Sequence, residues 1–460
     1  MAEELEAIAE RAVEAALAAG AGDAEAYVQD SVGREIRVFD GEVESLTEAG
    51  ERGLGVRCWI DHRSGYAYGT ELSTDGLGAI ARDAVEMARI ADADEFAAPP
   101  SADGASPPPN IPGLHDPALA GWTTERKIGL AKGAERAARE ADKRVVGVET
   151  AVYADEEQRV AIASSTGLAG AFEATTAYAY AQAIAEAGGD KQTGLGFGMG
   201  RSPESLDTGE IGREAAERAA SLLGARKPGS RTCPVVLDPI VAASFVGFIG
   251  GTLCADAVQR GRSPFAGRLG DSVASAALTL ADDATDPAGL NSSPFDAEGA
   301  PRSQTPLIEA GKLAAYLPDS YTARRQQAAG AAGARTTANA SRAGYRSPPS
   351  VSTSNLVVTP GAKGFEELLA EAEDGVYVTD VAGLHSGVNP VSGTFSVGAT
   401  GRLIDAGQLA APADEFTIAS DLQSMLKAIS AAGSESRWVP FGGSVSTPAM
   451  LIGEMAVGGS

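Results

Sequence analysis

The stretch from Thr232 to Lys312 does most to constrain what this chain can fold into. It opens on the apolar run Cys233-Pro234-Val235-Val236-Leu237, breaks at Asp238-Pro239, and continues as a candidate helix from Ile240 to Asp256. Gly261-Arg262-Ser263-Pro264-Phe265, Asp282-Asp283 and Pro294-Phe295-Asp296-Ala297-Glu298-Gly299 follow. The stretch comes directly after a helical segment and a Pro/Gly break, so it marks the start of a second domain. A chain of 460 residues is long for one core, and two domains are expected. No histidine lies between His115 and His385, so the Ile240 helix has no imidazole to offer a metal.

Sixty-two acidic residues against 37 basic ones leave a net charge of −25. That balance repels phosphate backbones and argues against a general nucleic-acid binder. Three scattered cysteines, Cys58, Cys233 and Cys254, do not make a disulfide scaffold and read as small buried hydrophobes. The acidic N-terminus lacks the basic and apolar parts of a signal peptide, and no apolar run is long enough to span a membrane. The cytoplasm is therefore the expected compartment.

Residues 2 to 19 place Leu5, Ile8, Ala9, Ala12, Val13, Ala16 and Leu17 on one helical face. Strand-like pieces follow at 26–29, 34–39, 43–47, 54–60 and 66–68, separated by turn signals such as Asp40-Gly41, and read as an antiparallel meander. Ser73 or Thr74 starts a second helix, and Thr124 to Ala141 forms a third. Residues 92–122, with Pro99-Pro100 and Pro107-Pro108-Pro109, read as a surface excursion. Val145 to Ala154 and Arg159 to Ser164 read as strands. Phe172 to Ala185 reads as a strand, with a helix as the alternative because of its six alanines. Gly194, Gly196, Gly198 and Gly200 strip one face of a strand and allow close backbone approach. Asp207 with Glu210 signals the start of a helix reaching Leu223, and the first domain ends near Gly229.

Beyond the Ile240 helix the chain turns to short strands. Asp319 to Pro349 reads as irregular and mostly solvent-facing, and Phe416 to Ala432 as carrying a helix with Leu422, Met425, Leu426 and Ile429 inward. The fold class is α+β: an N-terminal α/β domain over 1–229 with an antiparallel-rich sheet, and a mostly β domain over 230–460 with a few helices.

Few residues invite chemistry. There is no His-Glu-x-x-His, and His62, His115 and His385 sit far apart among turn residues. No Gly-x-Ser-x-Gly elbow accompanies Ser164-Ser165 or Ser386. Asp296 and Glu298 are the best carboxylate pair; on an extended segment they face one side, although local turn hydrogen bonds are the simpler reading. Arg324, Arg325, Arg335 and Arg346 either dock an acidic partner or are simply solvated.

Landmarks spread along almost the whole chain carry a resemblance. They include Gly53-Leu54-Gly55-Val56-Arg57, Gly65-Tyr66-Ala67-Tyr68-Gly69-Thr70, Val236-Leu237-Asp238-Pro239 and Pro294-Phe295-Asp296-Ala297-Glu298-Gly299. Further ones are Tyr321-Thr322-Ala323-Arg324, Ser354-Asn355-Leu356, Gly383-Leu384-His385-Ser386-Gly387-Val388-Asn389-Pro390 and Ile452-Gly453-Glu454-Met455. In these the chain resembles the TldD/PmbA family, and within it the PmbA (TldE) branch.

The resemblance implies a two-domain protein whose TldD relatives hydrolyse peptides with zinc held by a His-Glu-x-x-x-His helix and a distal cysteine. Here the corresponding helix reads Ala242-Ala243-Ser244-Phe245-Val246-Gly247-Phe248-Ile249, and no cysteine follows Cys254. No zinc ligand, cofactor or catalytic residue can be carried over to this chain; zinc is expected in a TldD-like partner. The implied role is a non-catalytic subunit that helps enclose and present peptide substrates, with a homodimer also possible. Phe245, Phe248, Asp296, Glu298, Arg324 and Arg325 are the candidate substrate or partner contacts. Alternatives are an independent peptidase centred on Asp296 and Glu298, and a self-assembling peptide-binding adaptor.

Overall fold

A computed structural model describes residues 2–102, 104, 106–389, 391–441 and 443–459; Pro390 and the side chains of His385 and Ser386, all within one landmark, lie outside the described residues. The protein combines an N-terminal α/β domain built on one antiparallel sheet with a mostly β C-terminal domain bearing scattered helices.

The first helix, α1 (Ala2–Ala18), leads into β1 (Asp23–Phe39), β2 (Glu42–Ile60), β3 (Arg63–Gly69) and α2 (Thr74–Ile90). After the proline-rich excursion come α3 (Thr124–Ala141), β4 (Val145–Ser164), β5 (Ala169–Ala187), β6 (Asp190–Gly200) and α4 (Thr208–Ser221). The helix starts follow from caps: Ser73 accepts the Gly76 N–H, Thr123 that of Arg126, and Asp207 that of Glu210. The six strands lie in the order β3-β2-β1-β4-β5-β6. The strand pieces expected at 26–29 and 34–39 are one continuous strand, because Asp30, Ser31 and Gly33 keep their ladder partners on both sides. The two pieces expected within 145–164 fuse in the same way.

All four helices cover one face. Ala24, Ala26, Val28, Ala161 and Ala163 meet α1 and α2 at one end of the strands. Ala151, Tyr153 and the alternate alanines from Ala177 to Ala185 meet α3 and α4 at the other. The alanine-rich β5 is thus a strand whose small side chains make room for helices. The alternating glycines go further. A Cβ on Gly194 would lie 2.2 Å from the Ala219 nitrogen, and one on Gly196 2.0 Å from the Ile211 carbonyl oxygen. The α4 backbone rests directly on that of β6.

In the second domain β7 (Arg231–Leu237) turns at Asp238 into α5 (Pro239–Leu253), and a separate short helix, Ala255–Gln259, takes the end of the longer helix expected to Asp256. The Asp238 carboxylate accepts the Ile240 N–H. β7 pairs with both Gly375–Ala382 and Ser444–Gly458. Through Thr394–Asp405 and Gln408–Asp421 the path returns to Ser444–Gly458, so the sheet closes on itself. Val241, Phe245 and Ile249 of α5 share one core with Phe395, Ile418, Met450 and Ile452.

Two expectations fail. Phe416 to Ala432 holds only a short helix, Leu422–Lys427; Phe416 and Ile418 sit in a strand and Ile429 begins the next. The residues from Asp319 to Pro349 are not mostly solvent-facing. They include the helix Ser320–Ala328 with a reciprocal Asp319/Thr322 capping box, and Asn339 and Tyr345 are buried. Their polar atoms bond to one another and to the first domain instead of to water.

Candidate functional site

Successive strand residues face opposite sides, so Glu25, Tyr27 and Gln29 lie on the face of the first sheet opposite α1–α4. The second domain docks onto that face. Phe295 packs with Val160 and Ile162 and meets Phe172 edge-on at 5.3 Å. The Tyr345 ring lies over Gly53, where a Cβ would come within 2.3 Å of it. Tyr66 donates to the Tyr345 carbonyl at 2.6 Å, and the Tyr345 N–H donates to Gln29 at 3.2 Å.

A buried charge cluster pins the two domains together. Arg57 Nη2 donates to Glu25 Oε2 at 2.8 Å and to Glu298 Oε1 at 2.9 Å. Arg342 donates to Glu25 through Nη2 and to the Ala297 carbonyl through Nε. The Ser320 N–H, at the start of its helix, donates to Glu298 Oε2 at 3.1 Å. Burial pushes the Glu298 carboxyl up, but the Arg57 charge and the hydrogen bonds from Ser320 and Arg57 outweigh it and hold it below its ordinary value.

Asp296 lies in a tight turn closed by the Gly299 N–H on its carbonyl, with Gly299 at φ +81°, and not on an extended segment. Its Oδ1 accepts from Glu298 and Ala300, and its Oδ2 from Ala340. Burial, and then the Glu298 charge, push its pKa up to about 7. Two carboxyls with opposed shifts resemble an acid/base pair. Here, however, all four oxygens are occupied and both residues are 2% exposed, so the pair acts as a structural hub.

The other predicted residues fall in two places. Arg324 reaches the first domain, donating to the carbonyls of Phe96, Ala98 and Pro99 and fastening the proline-rich excursion. Arg325 lies over the Tyr321 ring at 5.9 Å. Phe245 is 2% exposed and meets Phe395 at 5.0 Å, and Phe248 is half-buried against the same core. Of core or partner, Phe245 takes the core.

Beside the hub, a cleft of about 630 Å³ separates the open face of β4–β6 from two loops of the second domain. Tyr178, Tyr180, Phe197 and Met199 form its floor, and Phe441 its wall. These residues, with Glu25, Arg57 and Arg342, are absent from the sequence-based candidates. The signal for them is the alternation itself: on β1, Glu25, Tyr27 and Gln29 interleave with Ala24, Ala26 and Val28. Among the described residues no group of three or more His, Cys, Asp or Glu could hold a metal ion, and no helix is long and apolar enough to cross a membrane.

Three family models match the chain: PmbA/TldA metallopeptidase domain 1 at residues 24–88, central domain at 117–223 and C-terminal domain at 230–459. The chain is 28% identical to "Metalloprotease PmbA" of Escherichia coli O157:H7, covering 98% of this chain and 96% of that one. It is 27% identical to "Metalloprotease TldD homolog" of Haemophilus influenzae, covering 95% and 93%. In fold it matches the crystal structure of TldE from Thermococcus kodakarensis, with a TM-score of 0.90 at 21% identity over 98% of this chain and all of that one (100%).

Proposed function

The chain belongs to the PmbA/TldD metallopeptidase family, and from that premise we propose that it is a non-catalytic subunit that pairs with a TldD-like zinc metallopeptidase and helps enclose and present peptide substrates. The observation that carries this reading is α5. Over Pro239–Leu253 it has no ionisable side chain, and Val241, Ala242, Phe245, Val246 and Ile249 are buried in the core. A hydrolytic zinc centre needs imidazole, thiolate or carboxylate donors and a base for the attacking water; this helix supplies packing instead.

The N-terminal half of β2 supports a role in presentation. Residues 42–53 pair with β1 or bulge beside it, whereas β3 reaches only Leu54 to Ile60. An extended peptide can add to such an edge through backbone hydrogen bonds. The complex is expected in the cytoplasm.

The test is to purify the full chain alone and together with a TldD-like chain, and to measure mass, zinc and peptidase activity in each. The reading expects a mixed complex, and zinc and activity only where the TldD-like chain is present. Stoichiometric zinc with metal-dependent cleavage by this chain alone would overturn it. So would failure of the two chains to associate.

A further inference from the structure

The aromatic cleft does not end at the hub. It runs into a polar recess of about 260 Å³, with Gln158, Leu290 and Asn291 lining both. Arg302 lines the recess together with Tyr27, Asp296 and Arg342. Arg342 is committed to Glu25, and the oxygens of Asp296 to backbone N–H groups. Arg302 is different. Its Nη1 donates to the Asn291 carbonyl at 2.8 Å, while its Nε is enclosed and has no acceptor. Among the described residues no carboxylate forms an ion pair with it; Asp296 and Asp282 act on it only at longer range. Burial of its inner side pulls the Arg302 pKa down, while the residue as a whole is only half-buried and its Nη1 side stays open to solvent, where an anion can reach it. A half-buried cation without an ion-pair partner among the described residues is a favourable place for an entering anion. The planar fork of arginine suits a carboxylate.

The adjoining cleft fixes what the carboxylate is attached to. Tyr178, Phe197 and Phe441 offer apolar and aromatic surface. Tyr178 is 41% exposed, so the cleft is open to solvent. Glu156, on β4, lines the same cleft and disfavours an acidic side chain.

We propose that the recess and cleft together hold the C-terminal residue of a peptide, with its α-carboxylate on Arg302 and a bulky apolar side chain among Tyr178, Phe197 and Phe441. This rests on the peptide-presenting role and adds to it a preference for free C-termini ending in an aromatic or large aliphatic residue.

The test uses the full chain without a partner and compares N-acetyl-L-phenylalanine with N-acetyl-L-phenylalaninamide by calorimetric titration. The free acid should bind about tenfold or more tightly than the amide, the size expected for one charge-assisted contact. Arg302→Gln, checked for folding by a thermal melt, should erase that difference. Tyr178→Ala should weaken acid and amide by the same factor. Equal binding of acid and amide by the unaltered chain, binding of neither, or a preference that survives Arg302→Gln would each overturn the proposal. The unaltered-chain comparison decides even if the arginine variant does not fold. Failure here would leave association with a TldD-like chain untouched, because no partner enters the titration.

Discussion

Adding a single methyl group at Gly196 should separate α4 from the sheet. The new Cβ would lie 2.0 Å from the Ile211 oxygen and 2.7 Å from the Ala215 nitrogen, both backbone atoms. A tolerable carbon–oxygen contact is about 3.3 Å, so the helix must retreat by about 1 Å or tilt. A gap of that size forfeits roughly a quarter to a half of each dispersion contact it opens. Ile211, Ala215 and Ala219, all buried on this helix, lose packing together. Overpacking ordinarily costs about 1–3 kcal/mol, and with only backbone to give way the upper end, about 3 kcal/mol, is expected for Gly196→Ala. Gly147→Ala is the control: it lies on β4 of the same sheet, and nothing stands within 4 Å of its Cβ. There a small gain, about 0.4–1 kcal/mol from unfolded-state entropy, is expected. Urea unfolding followed by circular dichroism, with hydrogen exchange of the α4 amides, reads both, since two domains need not unfold in one step. If Gly196→Ala falls within about 0.5 kcal/mol of the parent and α4 amides exchange no faster, the backbone-on-backbone account is wrong.

Arg57→Ala strands Glu298 without its cation and leaves Glu25 to Arg342 alone; a loss of about 3 kcal/mol or more is expected in urea unfolding, and a loss below about 1 kcal/mol would show that the cluster does not pin the domains. Asp296, raised to about 7, contributes stability that is complete below its unfolded pKa near 4 and lost as pH rises through about 7. Asp296→Asn should therefore flatten the decline in urea midpoint between those pH values, and an unchanged slope counts against the assignment. Phe245→Ala should cost about 3–5 kcal/mol, read as a lower unfolding midpoint; a midpoint close to the parent's would mean that α5 does not organise its core.

What the sequence discloses depends on whether the signal is local. Ser73 and Asp207 mark helix starts because a cap needs only its own next three residues. The alternating glycines of β6 disclose a close approach, since nothing else accounts for so many missing side chains on one face. The Leu422, Met425, Leu426 and Ile429 spacing imitates a long helix, yet Phe416 and Ile418 obey the two-residue period of a strand. Arg342 and Tyr345 are hidden for another reason. Their partners, Glu25, Gln29 and Gly53, lie about 300 residues earlier, and polarity without a visible partner reads as solvation. The site is less legible than the fold for that reason: it exists only where two distant segments meet.

The strands β1, β2, β4 and β5 run for 17, 19, 20 and 19 residues, about 55–65 Å each at the usual rise. Few strands are so long; β1 and β4 run beneath both helix pairs, whereas β2 leaves its exposed N-terminal half beyond them. The sheet is thus a beam with a separate anchor near either end, and the cleft hangs below its middle and far reaches. A shift under α3 and α4 reaches the Arg57 cluster along continuous ladders of backbone bonds, with no loop between them to absorb it.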